Sequence, residues 1–355
     1  MATSSSPPIP AEMKAIQVTA YNEPYKLNTV PVPTLGPRDL LVKVAVASYC
    51  HTDGMVASGV FHTRLPVTAS HEGAGTIVAI GTEVKPSHFK PGDRVMCGLP
   101  LHPCGHVGVH IDGCFAEYVR VDERFTTKLP DEVRLRDAAP LACAGRTIWR
   151  GVKMADLKAG EWLAIIGSGG GLGHLGVQFA KAMGVNVLGI DARGEGLRVS
   201  SECGADVVVD ARKGKAEVVG QVQSVTGGEG AHAAIVLADA EGATALAAAV
   251  TRMHGTVVQL AQPDEVKIPF QEFVFRDIRF RGSMLCSPEE SREMVRFIAE
   301  HTGKGGSGIK VETTAFEGLE RIEELMKLIQ GQSESVCGIM TSQIHLIEQH
   351  MLHHV

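Results

Sequence analysis

Residues 161–191 read EWLAIIGSGGGLGHLGVQFAKAMGVNVLGID, and this stretch decides the fold. An apolar run of strand length, Trp162–Ile166, is followed by glycines at positions 167, 169, 170, 171 and 173. Apolar residues then recur at helical spacing up to Met183, Gly184 ends that helix, and a second apolar run ends in Asp191. The pattern therefore predicts a strand, a tight turn, a helix and a second strand.

This unit has the features of a dinucleotide-binding site. Glycines let a pyrophosphate approach the backbone, and the free N–H groups of the helix N-terminus bind its charge. A carboxylate about 20 residues beyond the glycines accepts hydrogen bonds from the ribose hydroxyls. A glycine-rich loop before a buried helix is the simpler alternative, but it leaves Asp191 unexplained. The predicted cofactor-binding residues are Gly167, Gly169, Gly170, Gly171, Leu172, Gly173, Asp191 and Arg193.

The acidic side chain also indicates which nicotinamide cofactor binds. Asp191 would repel a 2′-phosphate, which favours NAD, while Arg193 two residues later weakens that preference. Beyond this unit, strand and helix patterns alternate, which is typical of a doubly wound parallel sheet. Within that alternation, residues 240–253 predict one alanine-rich helix.

Composition limits the remaining possibilities. A chain of 355 residues is long enough for two domains, and its net charge of −6 argues against nucleic acid or an anionic membrane as partner. No apolar run reaches transmembrane length. Residues 1–12 lack the basic start and apolar centre of a signal peptide, so they predict a flexible arm on a cytoplasmic protein. In such a chain, the eight cysteines are expected to be ligands or buried thiols.

A second group of residues has the chemistry of a metal site. Cys50, His71, Glu72 and Cys143 offer two thiolates, an imidazole and a carboxylate, which suit a catalytic zinc. Asp53 could orient the imidazole of His71 and so fix its tautomer. The four residues are far apart in sequence, and on spacing alone a buried thiol beside a satisfied histidine is the commoner arrangement.

Several segments occur in an order that resembles a known family. They are CHTD at 50–53, HEGAG at 71–75, PGDRV at 91–95, LACAG at 141–145 and the glycine unit. Together they resemble the zinc-dependent alcohol dehydrogenases of the medium-chain dehydrogenase/reductase family, most closely the microbial tetrameric type. The resemblance implies an α/β protein with a GroES-like, β-rich catalytic domain and a Rossmann cofactor domain. We expect the catalytic domain at 13–155 and 297–341, the NAD-binding domain at 156–296 and a tail at 342–355.

The same resemblance assigns roles to the site residues. It implies that Cys50, His71 and Cys143 bind one catalytic zinc and that Glu72 can enter as a fourth ligand. It also implies that Thr52 accepts the hydroxyl proton of the substrate. Relatives commonly have a relay histidine where this chain has Met55, which cannot carry a proton, so we expect His51 or water to take its place.

Two further features concern a second metal and the substrate. Residues 96–113 are too few for the usual lobe with four cysteines, which predicts that the structural zinc is absent. Positions that narrow the pocket in ethanol-specific relatives match Ala57, Phe61 and Leu99 here. Smaller side chains leave more room, which favours a bulkier primary alcohol, aromatic or from secondary metabolism.

The resulting prediction is reversible oxidation of an alcohol to an aldehyde or ketone, with hydride transfer to NAD. Two alternatives remain open on the same fold: a non-redox zinc isomerase or cyclase, and an NADPH-dependent enone or quinone reductase. The expected partners are a small alcohol or aldehyde and further copies of the chain, in a homodimer or homotetramer.

Overall fold

The computed structural model describes residues 8–99, 105–302, 308–331 and 337–341. Most of the predicted arm, Cys104 and the predicted tail lie outside these ranges. The strands are β1 (Glu12–Val18), β2 (Lys26–Pro31), β3 (Asp39–Ser48), β4 (Val67–Thr68), β5 (Glu72–Ile80), β6 (Arg94–Met96), β7 (Tyr118–Asp122), β8 (Thr127–Lys128), β9 (Trp162–Ile166), β10 (Asn186–Asp191), β11 (Val207–Asp210), β12 (Ala231–Val236), β13 (Thr251–Gln259), β14 (Arg279–Gly282), β15 (Thr313–Glu317) and β16 (Cys337–Thr341). The helices are α1 (His51–Ala57), α2 (Leu135–Pro140), α3 (Arg146–Met154), α4 (Gly171–Ala182), α5 (Gly194–Glu202), α6 (Lys215–Val225), α7 (Ala243–Val250), α8 (Phe270–Phe273), α9 (Pro288–His301) and α10 (Ile322–Gly331).

The described residues fall into two compact units. The first contains residues up to Cys143 together with β15, α10 and β16, and the second runs from Ala144 to Glu312. The sequence placed the corresponding boundaries at 155/156 and 296/297. Helices α3 and α9 belong to the second unit because Trp149 packs against Phe179 of α4 and Phe297 of α9, with ring centroids 5.3 and 5.0 Å apart. The functional domains assigned to the two units stay a prediction.

The second unit contains the predicted parallel sheet. Its six strands lie in the order β11, β10, β9, β12, β13, β14, and every neighbouring pair is parallel. The apolar runs of β9 and β10 are buried, which explains why they show no polar alternation in the sequence. Parallel pairing brings the ends of these strands together, and the N–H of Gly167 donates to the carbonyl of Ile190 at 2.8 Å. The glycine turn and Asp191 therefore lie at the same edge of the sheet.

The first unit is rich in antiparallel strands. One sheet has the order β2, β1, β4, and a larger one has the order β15, β16, β3, β5, β6, β8, with β7 also paired to β3. The pairing of β3 with β5 is the longest and ends where Ser48 lies opposite Glu72. This register brings the end of β3 beside the start of β5, where several predicted site residues lie.

One predicted helix was too long. Residues 240–253 predicted a single helix, but α7 ends at Val250 and β13 begins at Thr251. The hydroxyl of Thr251 donates to the carbonyl of Ala247 at 2.7 Å and caps the helix end, and its backbone is already extended. A β-branched residue bonded in this way ends the alanine-rich run early. Within the described residues, no helix is both long and apolar enough to span a bilayer.

Candidate metal centre and cofactor turn

Four side chains of the first unit converge on one point. The ligand atoms of Cys50, His71, Glu72 and Cys143 all lie within 4.8 Å of one another. His71 and Glu72 are buried, and the two cysteines are half-buried. Two sulfurs, one nitrogen and one carboxylate oxygen at this separation form a donor set that suits zinc.

Local structure explains how residues far apart in sequence meet. Cys50 follows β3 and precedes the first residue of α1, while Glu72 is the first residue of β5. The pairing of β3 with β5 therefore brings Cys50 close to His71 and Glu72. Cys143 lies in a short π-helical turn, Leu141–Gly145, between α2 and α3. Single π-turns of this kind are often found at functional sites.

Asp53 is hydrogen-bonded to two of the predicted ligands, to His71, as the sequence suggested, and to Cys50, which the sequence did not suggest. Its Oδ1 lies 3.0 Å from Nδ1 of His71, and its Oδ2 accepts the backbone N–H of Cys50 at 2.8 Å. A carboxylate only accepts, so Nδ1 donates and Nε2 of His71 points away from Asp53. This Nε2 atom is buried and has no hydrogen-bond partner among the described residues. A buried nitrogen without a partner is costly, and a metal ion would satisfy it.

Two buried serines that the sequence reading missed position Glu72 and the residues around it. The hydroxyl of Ser48 donates to Oε2 of Glu72 at 2.5 Å. The hydroxyl of Ser70 lies 2.9 Å from the carbonyl of Ser48 and 3.1 Å from that of Glu72. Adjacency to the ligands was the available signal for Ser70, since it directly precedes His71; nothing in the sequence pointed to Ser48.

The ligands interact electrostatically when no metal is bound. A hydrogen bond with Cys143, burial and nearby negative charge raise the pKa of Cys50 well above its usual value. Burial alone would lower the pKa of His71, but the charges of Asp53 and Cys50 outweigh it, and the net effect raises that pKa. The metal-free site therefore retains protons that an incoming cation must displace.

The remaining predicted residues of the first unit differ in their exposure to solvent. Thr52 is half-buried in the first turn of α1, and His51 beside it is exposed. Ala57 at the end of that helix and Phe61 just after it are half-buried, whereas Leu99 is buried. Their roles in proton transfer and substrate binding stay predictions.

In the second unit, the glycine turn has the geometry that a close ligand approach requires. Gly167 has a φ of +88°, and α4 begins at Gly171 directly after the turn. A Cβ on Gly173 would lie 2.2 Å from the carbonyl oxygen of Gly167, and one on Gly169 would lie 2.0 Å from that of Gly196. A Cβ on Gly171 would meet nothing within 4 Å, so the residue borders open space at the helix N-terminus. Leu172 is half-buried beside it.

Asp191 already has several partners. Its carboxylate accepts the N–H of Gly169 at 3.0 Å and binds the guanidinium of Arg193 through both oxygens, at 3.1 Å each. Burial would raise the pKa of Asp191, but the hydrogen bonds from Arg193 and Gly169 outweigh it and lower that pKa. Arg193 also lies over the turn, since its Nη2 is 3.6 Å from the position of a Cβ on Gly170. Asp191, which is expected to favour NAD, is therefore paired with Arg193, which is expected to weaken that preference.

Comparison with known proteins follows the same division of the chain. Residues 36–131 match a family model described as the alcohol dehydrogenase GroES-like domain, and residues 171–300 match one described as zinc-binding dehydrogenase. An alcohol dehydrogenase of Geobacillus stearothermophilus is 33% identical over 348 residues, which cover 90% of this chain and 97% of that protein.

Two solved structures are also similar. The alcohol dehydrogenase of the archaeon Aeropyrum pernix aligns with a TM-score of 0.80 and 28% identity, covering 93% of this chain and all of that one. A zinc-binding dehydrogenase of Sinorhizobium meliloti 1021, solved with NADP, has a TM-score of 0.81 and 27% identity, with coverage of 94% and 100%. These similarities confirm the predicted fold class, a GroES-like half combined with a Rossmann half.

Proposed function

The chain belongs to the zinc-dependent alcohol dehydrogenases of the medium-chain dehydrogenase/reductase family, and we propose that it oxidises an alcohol reversibly by hydride transfer to NAD. One observation carries this proposal: the ligand atoms of two thiols, an imidazole and a carboxylate lie within 4.8 Å of one another, and among the described residues the buried Nε2 of His71 has no hydrogen-bond partner. The glycine turn of the second unit supplies the corresponding site for the cofactor.

The metal site fits a single zinc held by Cys50, His71 and Cys143, with Glu72 as the exchangeable ligand. A bound zinc supplies Lewis-acid chemistry that makes an alcohol hydroxyl more acidic. Residues of the first unit orient the metal ligand and transfer the proton. Asp53 accepts the Nδ1 proton of His71, so the neutral imidazole presents Nε2 to the metal. The hydroxyl of Thr52 accepts the proton that the alcohol gives up and passes its own proton on to His51 or water.

The cofactor preference depends on Asp191. We infer that NAD is preferred over NADP, because the fingerprint assigns this carboxylate to the ribose hydroxyls and its lowered pKa favours the charged form, which would repel a 2′-phosphate. NADP is the alternative cofactor, because the structure of one similar dehydrogenase was solved with NADP bound. When NAD binds, Arg193 must give up part of its contact with Asp191 for the ribose, whereas a 2′-phosphate would recruit the guanidinium.

The substrate proposed is a primary alcohol bulkier than ethanol. Ala57 and Leu99 support it, since they are smaller than the aromatic side chains that narrow the pocket in ethanol-specific relatives and leave more room for a ring, whereas Phe61 is itself aromatic. Comparing turnover of benzyl alcohol with ethanol tests this point, and clear preference for ethanol would end it. We place the enzyme in the cytoplasm.

The second unit carries an apolar surface that supports self-association. Met253, Phe270, Val274, Phe275 and Met284 are each more than half exposed. They lie around β14, the last strand in the order of the parallel sheet. A soluble monomer rarely exposes so many large apolar side chains together, so we propose a homodimer or homotetramer that covers them. Light scattering of the purified protein measures the assembly directly.

Replacing Cys50 tests the proposed reaction with a matched control. Cys50→Ser should lose bound zinc and alcohol-dependent reduction of NAD, while NAD affinity stays close to wild type. Cys203→Ser is the control, because Cys203 is a half-buried thiol at the end of α5, outside the ligand set. Retained turnover in the Cys50 variant, or equal loss in both, would overturn the assignment. A wild-type protein that transforms an alcohol with no change in nicotinamide absorbance would favour the non-redox alternative.

A further inference from the structure

Residues 105–116 lie against the segment that carries two of the predicted metal ligands. Along this contact, the backbone N–H groups of Gly113, Cys114 and Phe115 donate to the carbonyls of Thr68, Ser70 and Ala69 at 2.9, 2.7 and 2.9 Å. Asp112 adds a side-chain bond, since its Oδ1 accepts the N–H of Thr68 at 2.8 Å. The short segment is therefore bonded to the backbone directly before His71.

Two glycines of this segment touch the peptide that joins Ser70 to His71. Gly108 has a φ of +71°, and a Cβ there would lie 2.4 Å from the carbonyl oxygen of Ser70 and 2.7 Å from the backbone nitrogen of His71. A Cβ on Gly113 would lie 2.1 Å from the same oxygen of Ser70. No side chain fits at either position without moving the peptide, so both contacts require glycine.

The peptide they touch has an unusual conformation. Ser70 has a φ of +69°, in the left-handed region that residues with a side chain rarely adopt. Such a conformation persists only where the surroundings hold it. Here the carbonyl of Ser70 accepts the N–H of Cys114 and its hydroxyl donates to Ser48.

Gly73, which directly follows His71 and Glu72, also has no room for a side chain. A Cβ on Gly73 would lie 2.5 Å from Sγ of Cys114 and 3.5 Å from Sγ of Cys97, and both thiols are fully buried. The backbone N–H of Cys97 also donates to the carbonyl of Gly73 at 2.8 Å. The backbone is thus held in place at Ser70, directly before the two ligands, and at Gly73, directly after them.

We propose that residues 105–116 are a positioning element for the metal site. They hold Ser70 in its left-handed conformation and thereby direct Nε2 of His71 and the carboxylate of Glu72 towards Cys50 and Cys143. The proposal rests on the proposed function, because the metal is the zinc of that reaction. It assigns a role to the short segment that occupies the place of the lobe expected in relatives.

Gly108→Ala tests the proposal, with Gly92→Ala as its matched control. Gly92 has a φ of +92° in the same unit, and a Cβ there would meet nothing within 4 Å, so both variants carry similar backbone strain. Only the alanine at 108 presses on Ser70 and His71. We expect it to weaken zinc binding about 10- to 100-fold and to shift the visible spectrum of the cobalt-substituted protein. The control should bind zinc as wild type does, and NAD affinity should be unchanged in both.

The same measurements distinguish the ways in which the idea can fail. A folded Gly108→Ala protein with the zinc affinity and cobalt spectrum of the control would overturn the positioning role. If that variant does not fold, Asp112→Ala decides, because it removes only the bond to Thr68; we expect weaker zinc binding, and wild-type zinc binding would overturn the role. Wild-type protein that binds zinc but oxidises no alcohol would instead count against the proposed function. The zinc affinities of the Gly108→Ala and Gly92→Ala proteins would still test the positioning role.

Discussion

Replacing Asp53 with Asn should weaken zinc binding although Asp53 touches no metal. The carboxylate serves two groups at once, His71 Nδ1 at 3.0 Å and the N–H of Cys50 at 2.8 Å. An amide of the same size has one oxygen and one NH₂ group. If its oxygen faces Cys50, its NH₂ donates to Nδ1 and moves the ring proton to Nε2, the atom that must bind the metal. If its oxygen faces His71, the NH₂ opposes the N–H of Cys50.

The free-energy cost of either orientation of the amide can be estimated. Losing a partner that orients a ligating histidine typically weakens metal affinity about 10- to 100-fold, or roughly 1.4–2.7 kcal/mol. A buried N–H left without an acceptor costs about 1–3 kcal/mol, the same range. Asp53 is almost completely buried, so water cannot compensate for the loss. We therefore expect Asp53→Asn to bind zinc about 10- to 100-fold more weakly than wild type.

Competition with a chelating indicator measures this affinity, and the chain offers a matched control. Asp277 forms a pair with Nδ1 of His254 at 2.9 Å, but both side chains are mostly exposed. Asp277→Asn should leave zinc affinity unchanged. An Asp53→Asn protein that binds zinc within about twofold of wild type would refute the reasoning, because the affinity would then not depend on the buried bond.

Four further predictions follow from the same structure. Thr52→Ala should lower turnover roughly 100-fold or more with little change in zinc content, whereas Thr52→Ser keeps the hydroxyl and most of the rate, as steady-state kinetics can show. Arg193→Ala frees the carboxylate of Asp191 for the ribose and removes the group that would bind a 2′-phosphate, so the ratio of kcat/KM for NAD to that for NADP should rise. The raised pKa values of Cys50 and His71 mean that zinc displaces protons, so apparent zinc affinity should increase as pH rises, measured by competition at several pH values; affinity independent of pH would contradict this. Burial raises the pKa of Cys203 to about 11, so its alkylation by iodoacetamide, followed by mass spectrometry, should still accelerate above pH 9 if the thiolate is the reactive form.

The parallel half of the fold could be predicted from local pattern. Buried strands, a glycine turn and a terminal carboxylate occur consecutively in residues 161–191, and parallel pairing then places Gly167 and Asp191 at one edge. Periodicity failed at residues 251–253, where alanine content suggested helix but the bond from Thr251 to Ala247 ends it.

The metal site could not be predicted from spacing in the same way. Cys50 and Cys143 lie far apart in sequence and meet only because β3 pairs with β5 and a π-helical turn presents the second thiol. Resemblance to a family supplied that link. The left-handed backbone of Ser70 has no local signal, because it depends on contacts with Gly108 and Gly113 that are distant along the chain.

X-ray absorption at the zinc edge of the purified protein tests the central claim most directly. We predict one zinc per chain with two sulfur neighbours at about 2.3 Å and nitrogen or oxygen neighbours at about 2.0–2.2 Å. Replacing Cys143 with Ser should remove one of the two sulfurs or the metal itself. A bound zinc with no sulfur neighbours, or a fully active enzyme without zinc, would contradict the account.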